Sequence, residues 1–170
     1  MPTLIIARHA KAEAPAPGLQ DLDRTLALIG RKASTKLGQE LVAAGYTPDV
    51  ALVSPSTRTQ QTWKLMSAAL PGTVVRTVDD LYETDVEGLL EVATSLDDSI
   101  GTAVMVGHEP TSSAATAYLS GPGSSTPALK NIAHGLSTGT AAVLEFEGPW
   151  SELGSRTARL VAVISGRDVE

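Results

Sequence analysis

Thr3-Leu4-Ile5-Ile6-Ala7-Arg8-His9-Ala10-Lys11 is the stretch that decides the fold. A short, unbroken apolar run of this kind reads as a buried strand, and it ends abruptly on a guanidinium and an imidazole. In open α/β sheets, ligands bind outside the carboxyl ends of the strands, so Arg8 and His9 stand where a site would form. Two later runs repeat the chemistry. Val50-Ala51-Leu52-Val53 leads into Ser54-Pro55-Ser56-Thr57-Arg58, and Ala103-Val104-Met105-Val106 leads into Gly107-His108-Glu109-Pro110. Three strand ends thus deliver two arginines and two histidines.

Between these runs the period changes to that of helices. Ala33, Leu37 and Leu41 recur at i, i+4 and i+8 with Gly45 just beyond, which predicts an amphipathic helix over roughly residues 28–44. Ser56 or Thr57 is a capping residue for a helix with Trp63, Met66 and Leu70 on one face, ended by Pro71-Gly72. Thr73 to Thr77 reads as a short strand and Leu81 to Asp85 as a polar connection. Val86, Leu89, Leu90, Ala93 and Leu96 form the buried stripe of a further helix. Thr102 to Val106 is the best candidate for a central strand, and a helix over about Ser112 to Leu119 follows it. The Gly, Ser and Pro residues from Ser120 to Pro127 read as a loop. Thr140 to Phe146 and Arg159 to Ile164 are two late strands, separated by a turn containing Gly-Pro and read as antiparallel neighbours. The expected architecture is α/β: a three-layer sandwich with a mixed, mostly parallel sheet flanked by helices.

Composition bounds the function. A chain of 170 residues suits one domain, residues 1–170, and its 42% hydrophobic and 19% charged residues are those of an ordinary globular protein. With aromatics at only 4%, the core is expected to rest on Leu, Val, Ile and Ala. There is no cysteine, which removes disulfides and thiolate metal sites and suits a reducing compartment. The apolar start is too short for a signal peptide or a membrane span, so a cytoplasmic protein without membrane association is the expectation. A net charge of −6 argues against a nucleic-acid partner. Two arginines gathered within an acidic chain suit a small anion, and phosphate is the natural one.

Four stretches, Leu4 to Lys11, Asp23-Arg24-Thr25-Leu26 with Gly30-Arg31, Ser54 to Thr62, and Val106 to Pro110, resemble in order and spacing the histidine phosphatases with the phosphoglycerate-mutase-like fold. Within them the chain looks like the SixA-like phosphohistidine phosphatases; Ala10 stands where the wider superfamily usually has Gly. The resemblance implies that His9 is the nucleophile, that Arg8 and Arg58 clamp the phosphoryl group, and that His108 donates a hydrogen bond to it. Arg24 matches a substrate-contacting position at the pocket mouth. The larger enzymes of the superfamily use a Glu after the third strand as general acid, and Glu83 is the best positional match, with Asp85 and Glu109 as lesser candidates.

The chemistry of the residues agrees. A neutral imidazole attacks phosphorus to give a labile phosphoimidazole, dividing one hard displacement into two easier ones. Guanidinium forks meet the non-bridging oxygens bidentately as charge spreads in the transition state. Each residue also has a plainer reading. His9 alone could be a hydrogen-bonded strand-end residue, Arg58 an ion-pair partner at a helix start, and Glu83 a solvated loop carboxylate. Glu109 reads more plausibly as a residue that caps or orients the segment after His108, and His134 as a surface or loop histidine. No closely spaced ligand pattern marks a metal site, and neither metal nor cofactor is expected.

Three functions are compatible with the sequence: a phosphohydrolase acting on phosphohistidine in a protein through phospho-His9, a phosphatase or mutase for a small phosphate ester, and a non-catalytic phosphate-binding module. The first is preferred. An ester needs a dependable acid and more specificity loops than so short a chain supplies, and the third leaves two intact histidines and two intact arginines without a use. The partner expected is a phosphorylated protein or a small phosphorylated substrate.

Overall fold

In a computed structural model that describes residues 1–168, β1 (Thr3–Arg8) lies between two neighbours, which is why its side chains are buried on both faces. It pairs in parallel with β4 (Thr102–Gly107) and antiparallel with β5 (Thr140–Phe146). With β2 (Val50–Val53), β3 (Val74–Thr77) and β6 (Ala158–Ser165), the order among the described residues is β3-β2-β4-β1-β5-β6. The first four strands run parallel, and β5 and β6 are antiparallel to each other.

The helices are α1 (Leu28–Ala43), α2 (Thr57–Met66), α3 (Val86–Thr94), α4 (Thr111–Leu119) and α5 (Thr126–Ile132). They divide between the two faces as the alternation along β1 requires. Ile5 and Ala7 pack with Leu37 and Leu41 of α1 and with Trp63 and Met66 of α2. Leu4 and Ile6 pack with Leu89 of α3, Ala115 and Leu119 of α4, and Ile132 of α5. Crossovers between parallel strands are right-handed, so reversing the direction of travel across the sheet must move the connecting helix to the opposite face. From β1 to β2 to β3 the chain moves outward with α1 and α2 on one face; from β3 back to β4 it returns inward with α3 on the other. This return inserts β4 between β2 and β1, and so brings the strand ends that precede His9, Ser54 and His108 side by side.

The expected α/β architecture and its element types hold, with three corrections. The stretch read as a loop to Pro127 ends earlier: Ser125 Oγ caps α5 by accepting from the Ala128 N–H, and Pro127 sits in the first turn, where its missing N–H costs nothing. The segment from Leu81 is not wholly polar, because Leu81 closes a 3₁₀ turn (Asp79–Leu81) and is buried against Leu89 and Leu96. α2 stops at Met66, and a 3₁₀ turn (Ser67–Ala69) carries the chain on to buried Leu70. The scarce aromatics are also placed centrally. Trp150 and Phe146 are among the largest fully buried side chains, edge to face at 5.0 Å, with the indole N–H donating to the Ile100 carbonyl at 2.8 Å. No helix among the described residues is long and apolar enough to cross a membrane.

Candidate active site

Strand register assembles the site before any side-chain bond is considered. Arg8 pairs with Gly107 across β1 and β4, so the next residue on each strand, His9 and His108, stand side by side, and their rings are 5.5 Å apart. Val53 pairs with Val106 across β2 and β4, which sets Ser54 level with Gly107 and Arg8, one residue before the two histidines. Ser56 caps α2 by accepting from the Thr59 N–H, and Arg58 follows in the first turn, buried and aimed back over the strand ends.

The backbone fixes the chemistry of His9. Its N–H donates to the Gly107 carbonyl at 3.0 Å, and its own carbonyl accepts from Gly139 at 3.1 Å. The ring Nδ1 is 2.7 Å from the Ala10 carbonyl, which only accepts, so the proton sits on Nδ1 and the lone pair on Nε2. Ala10 is itself held, its N–H donating to Thr62 Oγ1, whose hydroxyl donates to the Arg58 carbonyl. Burial, with the charges of Arg58, Arg8 and Arg24, lowers the pKa of His9 to about 4 against the partial compensation of the Ala10 bond. The ring is therefore neutral at pH 7 with its lone pair on Nε2.

His108 is likewise lowered to about 4 by burial and by Arg58. Its Nε2 is 2.8 Å from Ser54 Oγ, and its Nδ1 is 3.4 Å from Arg58 Nη2. Because a guanidinium only donates, that arrangement leaves the lone pair on Nδ1 and has Nε2–H donating to Ser54. The Ser54 hydroxyl can also rotate and donate, so it supports the other tautomer when an anion calls for a proton on Nδ1.

The two arginines are anchored at their tips and unpaired at their necks. Arg8 Nη1 donates to the Leu136 carbonyl at 3.0 Å. Arg58 Nη1 donates to the Asp21 carbonyl at 2.8 Å and Nη2 to Asp21 Oδ2 at 3.0 Å. The Nε of each is buried with no hydrogen-bond partner among the described residues. A buried, unpaired cationic donor is costly, and two beside a pair of neutral imidazoles make a cradle for an anion.

Sequence reasoning did not identify Asp21, and it is the hub of the pocket mouth. Its carboxylate accepts from Tyr82 at 2.6 Å, from Arg24 at 3.0 Å and from Arg58, which together hold its pKa well below the usual carboxylate range. Asp21 opens a 3₁₀ turn (Asp21–Asp23) on an arch whose ends are pinned by a bridge between Ala12 and Leu26 and by Leu26 N–H donating to Gln61 of α2. The only local signal was its place three residues before Arg24; nothing in the sequence links it to Arg58 or Tyr82. Tyr82 lies edge-on to His108 at 5.6 Å and is a second residue the sequence did not single out.

The other expected residues fall into place unevenly. Arg24 reaches the mouth, tied to Asp21 and to the Glu13 carbonyl, and acts on His9 through its charge. Glu83 is exposed and makes none of the bonds that join the site; it lines a cavity of about 110 Å³ together with Tyr82, His108 and Glu109. Asp85 caps α3, its carboxylate accepting from Gly88 N–H at 2.9 Å. Glu109 orients the segment after His108: it accepts from the Ser113 N–H and hydroxyl, and from Leu136 N–H at 3.0 Å. It thereby sets the Leu136 carbonyl that holds Arg8. His134 is exposed. Among the described residues no group of three or more His, Cys, Asp or Glu is placed to hold a metal ion.

With this geometry in hand, comparison with known proteins gives the class. Residues 4–99 match the histidine phosphatase superfamily (branch 1), and the chain belongs to it. It is 30% identical over 158 residues to the uncharacterized protein ML1117 of Mycobacterium leprae, covering 91% of this chain and 96% of that one. Among solved structures it is similar to a protein provisionally assigned as phosphohistidine phosphatase SixA from Nakamurella multipartitia (TM-score 0.79, 29% identity, 95% of this chain and 94% of that). A protein assigned in the same way from Agrobacterium tumefaciens gives a TM-score of 0.82 at 26% identity, over 96% and 97% of the two chains.

Proposed function

We propose that this protein removes the phosphoryl group from phosphohistidine in a protein, through a covalent phospho-His9 intermediate and without a metal or cofactor. The observation that carries the reading is His9: a buried, neutral imidazole whose Nδ1 proton is committed to the Ala10 carbonyl, leaving Nε2 to attack within the charge of Arg58 and Arg8. The likeness to the SixA proteins over nearly the whole chain supports the substrate class.

In the first step His9 Nε2 forms a bond to phosphorus while the bond from phosphorus to the substrate's imidazole nitrogen breaks, its electron pair leaving with that nitrogen. Arg8 and Arg58 take the non-bridging oxygens, and their charge does the work a metal ion would otherwise do. His108 donates from Nδ1 as the negative charge gathers, with the Ser54 hydroxyl turning to donate to Nε2. In the second step a water oxygen bonds to phosphorus, the P–Nε2 bond breaks, and the lone pair returns to His9. The water's protons pass to the phosphate product and solvent. An imidazole protonated on its other nitrogen leaves neutral and needs no strong acid, whereas an alkoxide does.

That difference supplies the test. Turnover is measured on a histidine-phosphorylated protein and on a panel of phosphate esters, with wild type and Glu83→Gln at matched pH, with and without chelator. The expected result is faster turnover of phosphohistidine, a Glu83→Gln loss confined mainly to esters, and no effect of chelation. Good ester turnover with none on phosphohistidine would instead make Glu83 the acid of a small-molecule phosphatase. Activity abolished by chelator and restored by a divalent cation would overturn the metal-free mechanism.

A further inference from the structure

A basic groove of about 630 Å³ runs from Arg8 along α1, and beyond Arg8 nothing in the reaction described above uses it. Its wall on α1 is the face Ile29, Lys32, Ala33 and Lys36, spaced i, i+3, i+4, i+7. Lys11, Arg8 and Arg167 complete the basic lining, and Asp168 is the one acid that lines it among the described residues. Among the described residues the groove therefore gathers five Lys and Arg against one acid, in a protein of net charge −6. Chance placement would give an acidic lining.

Folding does not account for this arrangement. Lys32 and Lys36 are like charges at i, i+4, which weakens a helix by a few tenths of a kcal/mol, and the ion pair of Lys36 with Asp168 at 3.3 Å is solvent-exposed and worth little. Beside the lysines, Leu28 and Ile29 are 68% and 60% exposed at the start of α1, large apolar side chains left in water next to the pocket. Ile29 to Lys36 spans about 10 Å of helix, the length of about three extended residues. That is far more than a phosphoryl group needs, and apolar side chains alternating with cations fit a polypeptide better than a second phosphate.

We propose that this groove docks an acidic segment of the phosphohistidine-bearing protein, with carboxylates meeting Lys11, Lys32 and Lys36, and an apolar side chain covering Leu28 and Ile29. The inference rests on the phosphohistidine reading and names the kind of sequence that should flank the substrate histidine. Arg8 is common to groove and pocket, so the flank and the phosphoryl group would be held in register by one residue.

The test uses two peptides of equal length, each with one phosphohistidine, one flanked by Glu and Leu and the other by Lys and Leu, together with free phosphohistidine, which has no flank. Wild type should favour the acidic peptide at least tenfold in kcat/KM, through KM, with the advantage shrinking as salt is raised. Lys32→Glu with Lys36→Glu should remove that preference and leave free phosphohistidine turnover within twofold; Lys32→Gln with Lys36→Gln should give an intermediate loss. Equal turnover of both peptides by wild type, or an unchanged preference in the charge-reversed variant, overturns the docking proposal and leaves the phosphohistidine reading standing. Failure to cleave any of the three substrates overturns both.

Discussion

At the residue scale, the pocket works by keeping two imidazoles neutral in the company of arginines. Each ring has an ordinary value of 6.5 lowered to about 4. Protonating His9 Nε2 removes the lone pair, so the proposed nucleophile should persist until the pH falls through about 4 rather than 6.5. Imidazole NMR should show His9 and His108 titrating near 4; a midpoint near 6.5 for His9 would contradict this. The sign for stability is the same: between 6.5 and 4 the unfolded chain takes up protons the folded pocket refuses, so stability declines as pH falls across that window. Asp21 works in the opposite sense, raising His108 while anchoring Arg58. Asp21→Asn should lower kcat about tenfold, in line with the cost of a misplaced catalytic group, and should move the His108 midpoint further down. A loss of kcat with that midpoint unmoved would leave Asp21 a purely structural residue. That Arg8, His9, Arg58 and His108 would come together was legible in the sequence, because each stands at or shortly after the end of an apolar run. Asp21 and Tyr82 were not, because their contacts with each other and with Arg58 span 37 to 61 residues and exist only once the arch folds over.

At the scale of elements, the arch and α1 are locked to the segment after His9 by a close approach that only glycine permits. A Cβ at Gly30 would lie 2.0 Å from the Lys11 carbonyl oxygen, a backbone atom that also accepts from Ala27 N–H at 2.9 Å. Gly30→Ala must therefore shift α1 or the chain beside His9, and should destabilise the protein by about 1–3 kcal/mol with a parallel loss of activity. Gly72→Ala, where the added Cβ meets nothing within 4 Å, is the control and should change neither. Chemical denaturation reads both, and an unshifted midpoint in Gly30→Ala would show that the approach is not constraining. Element types were readable where periodicity ran long enough, as in α1. α5 escaped because its seven residues follow a Gly, Ser and Pro run, where the only sign of a helix is a serine cap and a proline in the first turn.

For the whole molecule, the run of parallel strands and the late antiparallel pair could be read from the sequence, but the strand order could not. No local pattern says that β4 enters between β2 and β1; right-handed crossover and a reversal of direction after β3 do. That insertion joins three separate strand ends into one pocket. The most direct measurement is to quench the wild-type enzyme during turnover of a histidine-phosphorylated protein carrying a radiolabelled phosphoryl group, and to map the label. The account predicts an acid-labile, base-stable phosphoryl group on His9, none in a folded His9→Ala variant, and no turnover by that variant. Label on another residue, or substantial turnover by His9→Ala, would contradict it.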